Sequence, residues 1–307
     1  MRQGLAPLGV STYIRVEHLE RCIESLKRNS LAPQTDIYIF SDAPRAGHEK
    51  AVTRLRRYLT TIDGFKSVNI VEREYNNRMF NNRGGIKQLL DEYGQVIFLE
   101  EDVVVAPQFL SYMNQALAKY KDDPRVFSVS GYCPPIDIPK DYDEMAFFLR
   151  RFNAWGFGIW KDRFEKIGYI DRQAYLKLID SEADLNDFAK NGGEDMLGML
   201  RLDSDGTIDA FDVKAMYTQF INDQYTLYPR YSLTQNRGMD GSGTHCSKHN
   251  KYDVTLWNGI EHYDLPEFHI VQKIVDSHNR FRKPSLRVRW SEKVKILLTR
   301  YLRNKKH

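Results

Sequence analysis

Through the first half of the chain, short apolar runs alternate with segments of helical period. Residues 5–13 are largely apolar, and residues 17–27 then place Leu19, Ile23 and Leu26 on one face. The same alternation predicts strands over 37–40, 68–72, 95–99 and 126–130, with helices over 49–60, 86–93 and around Leu110, Met113 and Leu117 after Pro107. The run 95–99 is continuously apolar and stops abruptly at Glu100-Glu101-Asp102. Strand–helix alternation of this kind predicts an α/β fold, a mostly parallel mixed sheet flanked by helices. The second half is less regular. An aromatic stretch, 147–164, leads to helical segments near 172–190 and 208–222, a short strand over 225–229, and a loop from Arg237 rich in Gly, Asn, Asp and His. With no repeat and no linker, residues 1–279 read as one unit, with a nucleotide-binding half to about residue 130 and an acceptor half from about 131 to 279.

Composition narrows the class. A chain of 307 residues with 42% hydrophobic and 28% charged residues can bury a core and is not a disordered polymer. It contains no apolar run of bilayer length and no recognisable secretory leader. Cys22, Cys133 and Cys246 are too scattered for a disulfide framework or a CxxC site and read as free thiols in a reducing cytoplasm. The net charge of +4 hides a division: residues 280–307 hold eleven Lys/Arg against Glu292 alone, a local +10. In 290–302, Trp290, Val294, Leu297, Leu298, Tyr301 and Leu302 recur at helical spacing, with Lys293, Lys295, Arg300 and Arg303 between them. This is the pattern of a basic amphipathic tail lying on an anionic membrane surface, or of a helix packed onto the body. A membrane tail predicts a peripheral location on the inner face of the cell membrane, with catalysis on a soluble acceptor surviving its removal. No nucleic-acid motif accompanies the charge.

Four constellations carry candidate chemistry. Glu100, Glu101 and Asp102 sit where a buried strand ends, the side of a parallel sheet on which ligands bind; clustered carboxylates there call for a divalent cation, Mn²⁺ or Mg²⁺. Tyr13 and Arg15 follow the first strand and Asp42 the second, placing a phosphate- or base-binding cation and an acceptor at neighbouring strand ends. Taken alone, Arg15 or Asp42 reads as a helix-capping or surface residue first. Asp195, Asp209 and Asp212 are candidate general bases, Asp209 at a helix N-cap position and Asp212 one turn inside it. His245 ends a Gly-rich loop as a possible metal or phosphate ligand. Trp155 and Trp160 read as core or as sugar-stacking platforms, Lys161 and Arg163 as surface. Neither G-x-G-x-x-G nor a P-loop is present.

Taken in order, STYIRVEHLERCIESL, DIYIFSDAPR, VIFLEEDVVVAPQFLSYMNQAL, FNAWGFGIWKDRF and the segment from Tyr225 through LYPRYSLTQNRGMDGSGTHC resemble the nucleotide-sugar glycosyltransferases of the GT-A fold. The resemblance is closest to bacterial surface-polysaccharide transferases related to the N-acetylglucosaminyltransferase I family, and runs from about residue 6 to 246. It implies a Rossmann-like nucleotide-diphospho-sugar transferase fold and metal-dependent, inverting transfer from a UDP-type sugar to a saccharide or lipid-linked saccharide. It makes Asp102 a metal ligand with His245 nearby, puts Glu100 and Glu101 near the ribose and diphosphate, and gives Arg15 and Asp42 the nucleotide. Asp212 becomes the first choice of base, Asp209 the second and Asp195 the third. The chain departs from the pattern at Glu101, where an aspartate is usual, and at Phe211 and Ala215, which replace tryptophans. Two rivals are a sugar nucleotidyltransferase, which calls for a Gly-rich basic loop after the first strand that STYIRVEHL lacks, and a non-catalytic nucleotide-sugar or glycan-binding module.

Overall fold

The computed structural model describes residues 4–241, 250–259 and 263–305. In chain order the elements are β1 (Leu8–Thr12), α1 (Val16–Lys27), β2 (Asp36–Ser41), α2 (Glu49–Leu59), β3 (Ser67–Glu72), α3 (Arg78–Tyr93), β4 (Gln95–Glu100), β5 (Val103–Val105), α4 (Phe109–Lys119), β6 (Val126–Ser130), β7 (Ala146–Leu149), β8 (Phe157–Trp160), α5 (Lys161–Phe164), α6 (Arg172–Asp180), α7 (Glu182–Gly192), α8 (Asp195–Ser204), α9 (Phe211–Ile221), β9 (Tyr225–Pro229), β10 (Thr234–Asn236), α10 (Gln272–Arg282) and α11 (Leu286–Asn304). An eight-stranded sheet has the order β3-β2-β1-β4-β8-β6-β9-β7, and β5 pairs with β10 in a separate two-stranded sheet. In the large sheet only β8 and β7 run against the other strands. This is the mostly parallel mixed α/β sheet, flanked by helices, that the apolar pattern predicts.

Chain order reverses at β1. The chain proceeds outward through β2 and β3, then returns to place β4 on the other side of β1. That is a topological switch point, with a crevice beyond the carboxyl ends of the two strands. Every residue of β1 is buried, and Gly9 is required there: a Cβ would lie 2.6 Å from the Phe98 ring on β4. α1 covers this region with Val16, Leu19, Cys22, Ile23 and Leu26.

Several local expectations are corrected. α3 begins at Arg78, a full two turns before residue 86; Asn77 caps it by accepting from the Phe80 N–H at 2.9 Å. The aromatic stretch supplies β7 and β8, with β8 inserted between β4 and β6. α8 and α10 lie in segments with no helical expectation of their own. Arg163 is buried, its two terminal guanidinium nitrogens donating to the carbonyls of Lys121 and Asp123 and to Asp162, and these acceptors offset the cost of taking the cation out of water. Trp160 is core, donating to the Leu117 carbonyl. Cys22 and Cys133 are buried free thiols; Cys246 lies outside the described residues. No described helix is long and apolar enough to cross a membrane.

Candidate active site

Beyond the carboxyl ends of β1, β2 and β4 lies a cleft of about 430 Å³ lined by Thr12, Tyr13, Arg15, Asp42, Arg45, Arg78, Asn82, Glu100, Glu101, Asp102, Trp155, Asn236 and Gly238, among others. It continues into a second, more apolar chamber of about 410 Å³ that shares Arg78, Asn82, Glu100 and Trp155 and adds Phe98, Met199, Phe211, Asp209 and Asp212. A larger groove of about 550 Å³ between α7 and α10 shares no lining residue with either chamber.

The acids are built into the fold rather than displayed on a loop. Glu101 and Asp102 are both 7% exposed. The Glu101 N–H donates to the Ser11 carbonyl of β1, and the Asp102 carbonyl accepts from the Arg237 N–H beyond β10. The β5–β10 pair thus folds Asn236 and Gly238 over Asp102. Gly238 must lack a side chain, since a Cβ would stand 2.2 Å from Asp102 Oδ2. Arg15, delivered by the turn after β1, donates from Nε to Glu101 at 2.8 Å and from Nη2 to Asp102 at 2.7 Å. Burial opposes the charge on Arg15, but Glu101 and Asp102 outweigh it and raise the guanidinium pKa. Glu100 accepts from Asn82 of α3 at 2.9 Å. Burial, then the neighbouring Asp102 and Glu101, push its carboxyl well above the ordinary carboxylate range; Glu101 is raised by burial despite Arg15. Three carboxylates drawn from water face the paired Arg15 and, at longer range, Arg78, and the raised carboxyls of Glu100 and Glu101 mark a cluster still short of positive charge.

Hard carboxylate oxygens in that state fit Mg²⁺ or Mn²⁺. Among the described residues no three acidic, His or Cys side chains are grouped so as to hold a metal ion by themselves. Two buried polar atoms in the cleft, Thr12 Oγ1 and Arg15 Nη1, have no hydrogen-bond partner, so polar groups remain there for a ligand to satisfy. His245 lies outside the described residues.

Tyr13 and Asp42 line the cleft in different conditions. The Tyr13 hydroxyl meets His48 Nδ1 at 2.9 Å and accepts from the Arg45 N–H. Asp42 Oδ1 accepts from the N–H groups of Ala43 and Asn77, and Oδ2 from the Asn76 side chain. Both oxygens therefore already hold the turn that leads into α3, in addition to facing the cleft.

The three candidate bases separate clearly. Asp195, at the start of α8, is gripped by both Arg151 nitrogens at 2.8 and 2.9 Å; burial raises its carboxyl, but Arg151 outweighs burial and holds it low. Asp209 is not the N-cap of α9, a place taken by Ala210. Its carboxylate pairs with Arg83 at 2.9 Å and with Lys214, and these two cations hold it low against burial. Asp212, in the first turn of α9, has no hydrogen-bond or ion-pair partner among the described residues. Burial raises its pKa above that of an ordinary aspartate, against the pull of Arg151, Arg282 and Arg78.

Arg78 and Asn82 were missed because the polar, glycine-containing sequence NNRMFNNRGG shows no apolar period. Trp155 lines both chambers, its ring edge-on to Tyr132 at 4.9 Å, whereas Trp160 is core.

No protein-family model and no curated protein matches this chain. Among solved structures it is similar to the mannosyltransferase PcManGT from Pyrobaculum calidifontis in complex with GDP-Man and Mn²⁺, at 12% identity over 70% of this chain and 69% of that one, with a TM-score of 0.38. It is also similar to GalNAc-T7 with UDP, GalNAc and Mn²⁺, at 12% identity over 73% and 42% of the two chains, TM-score 0.44. A third is S. aureus TarS 1-349, at 10% identity over 77% and 62%, TM-score 0.43. The chain spans less than two thirds of the length of these last two.

Proposed function

We propose that this chain is a metal-dependent, inverting glycosyltransferase of the GT-A type that moves a hexosyl or N-acetylhexosaminyl group from a nucleotide sugar, UDP-linked by preference, to a saccharide or lipid-linked saccharide. The observation that carries this reading is the continuity of the cleft. An acid–arginine cluster at the β1/β4 switch point opens, past Glu100, into a chamber that holds the unpartnered carboxylate of Asp212. Donor activation and acceptor deprotonation need these two chemistries side by side.

In this reading Asp102, with Glu101 beside it, would hold a divalent cation, Mn²⁺ or Mg²⁺. When bound, the cation neutralises charge on the leaving diphosphate. Arg15 and Arg78 present guanidinium groups to the same diphosphate. Tyr13, Asp42 and Arg45 border the nucleotide end. Asp212 accepts the proton of the acceptor hydroxyl, whose oxygen bonds to the anomeric carbon as the bond to the diphosphate oxygen breaks. The nucleoside diphosphate leaves with the electron pair, and attack from the opposite face inverts the anomeric centre. Trp155, between the two chambers, offers a flat apolar surface for a sugar ring.

We place the reaction in surface-polysaccharide synthesis at the inner face of the cell membrane, supported by the basic tail. The deciding experiment presents a panel of UDP- and GDP-sugars with Mn²⁺ or Mg²⁺ and scores nucleotide release, with product anomericity read by NMR. Metal-dependent release from one donor is expected. Pyrophosphate release from a nucleoside triphosphate and a sugar phosphate, or donor binding with no turnover in the presence of acceptors, overturns it.

A further inference from the structure

α11 carries two faces of opposite chemistry. Its inward face is fastened to the body. Ile296 is buried with Tyr175, Ile179 and Leu200, Arg300 donates to the Ile179 carbonyl, and Arg303 pairs with Asp180 at 2.7 Å. Arg289 pairs with Glu194, and Glu292 receives Arg201 and Lys295. The outward face is bare: Leu286, Trp290, Leu297, Leu298, Tyr301 and Leu302 are each more than half exposed. At 3.6 residues per turn, Leu286, Trp290, Val294, Leu297, Leu298 and Tyr301 form one continuous stripe. Two exposed cations of α11 without a partner among the described residues accompany it, Arg287 within the stripe and Lys293 at its edge.

The sole acid of residues 280–307, Glu292, is turned inward. Among the described residues the outward face therefore carries no acid and is dominated by apolar groups and positive charge. A second copy of the same face would set cations against cations with no acid to meet them. A fluid, anionic surface with an apolar interior satisfies both features at once.

We infer that the outward stripe of α11 is a docking surface for an anionic lipid bilayer, with Trp290, Leu297, Leu298 and Tyr301 entering the acyl boundary and Arg287 and Lys293 meeting headgroup phosphates. Charge pattern alone assigns Lys295, Arg300 and Arg303 to headgroups. The structure corrects this, because all three are committed to partners on the body or on α11 itself. Those inward contacts have a consequence for the cleft. Glu194 and Arg201 belong to the cap and body of α8, the helix that begins at Asp195 and contributes Met199 to the chamber of Asp212. The docked helix therefore sets the orientation of that chamber to the bilayer, a step that rests on the proposed transferase activity, whereas the docking itself does not.

The test is co-sedimentation of the full chain with phosphatidylcholine vesicles, with and without phosphatidylglycerol. Binding to the anionic vesicles only, weakened by salt, is expected. Combining Trp290→Ala, Leu297→Ala and Leu298→Ala should reduce it about tenfold or more, with circular dichroism and melting temperature unchanged. Arg287→Gln with Lys293→Gln should cost about fivefold per site. Absence of wild-type binding, or binding that survives the triple substitution, overturns the proposal. A wild-type dimer that the triple substitution converts to monomer overturns it in favour of self-association. Vesicle binding needs no donor. A protein that binds vesicles but transfers nothing leaves the docking intact and removes the transferase reading, and one that transfers to a soluble acceptor but ignores vesicles does the reverse.

Discussion

Among the described residues Asp212, unlike Asp195 and Asp209, has no hydrogen-bond or ion-pair partner, and the arginines that act on it do so from a distance. Asp195 is clamped by Arg151, and Asp209 lies between Arg83 and Lys214, so each carboxylate is a weakened base. Asp212→Asn should therefore lower kcat about 10²- to 10⁴-fold while nucleotide binding persists. Asp209→Asn should keep most of the activity, and Asp102→Asn should lose donor binding itself. Because burial raises the Asp212 pKa, the base is lost as pH falls through a value above that of an ordinary aspartate. The acid limb of the kcat profile should sit correspondingly high, and any residual activity of Asp212→Asn should lack it. The acid triplet was legible in sequence because Glu100-Glu101-Asp102 interrupts a continuously apolar strand. The choice among the aspartates was not, because it turns on partners remote in sequence: Arg83 lies 126 residues from Asp209. Arg163 reads as surface for the same reason, since only the fold brings the carbonyls of Lys121 and Asp123 to it.

At the scale of elements, the strands of the first half declare themselves by apolar runs, while two devices that position the site leave no periodic trace. α3 is one. Its first turns carry Asn, Arg and Gly, yet it forms because Asn77 caps it and Gly85 lets it lie against β2, where a Cβ would come within 2.9 Å of the Phe40 ring. Arg78 and Asn82 enter the cleft on that helix. The β5–β10 pair is the other, two three-residue strands too short to read, which bring Gly238 over Asp102. Gly238→Ala should displace this cover and weaken donor and metal binding together, by about tenfold to a hundredfold in calorimetric titration, without unfolding the sheet. The contact between Arg151 and α8 is structural in the same sense. Arg151→Met strands Asp195 without its counter-charge and should cost about 3 kcal/mol in denaturant unfolding. Asp195 has a lowered pKa when folded, so its contribution is present above the ordinary aspartate range and disappears as pH falls through the folded value. Wild type should lose stability faster than Arg151→Met as pH drops below about 4.

For the molecule as a whole, charge asymmetry was visible in the sequence, but its physical meaning required the packing of α11. A tail that merely trailed from the body could be removed at no cost. Instead Ile296 is buried in a cluster with Ile170, Tyr175, Leu178 and Leu200, and Arg289, Arg300 and Arg303 bind α6 and the start of α8. Removing residues 286–305 uncovers that cluster, frees the Ile179 carbonyl and takes Arg289 from Glu194 and Glu292 from Arg201, so the loss reaches the helices around the acceptor chamber. Ile296→Ala alone should cost about 2 kcal/mol, a side chain deleted from a site only partly able to collapse. The truncated protein should melt earlier and be cleaved first within residues 172–204 in limited proteolysis. The outward-face triple substitution, which touches none of these contacts, should melt and digest as wild type does. If truncation left melting and digestion unchanged, α11 would be no part of the folded body, and the orientation it imposes on the chamber would fall with it.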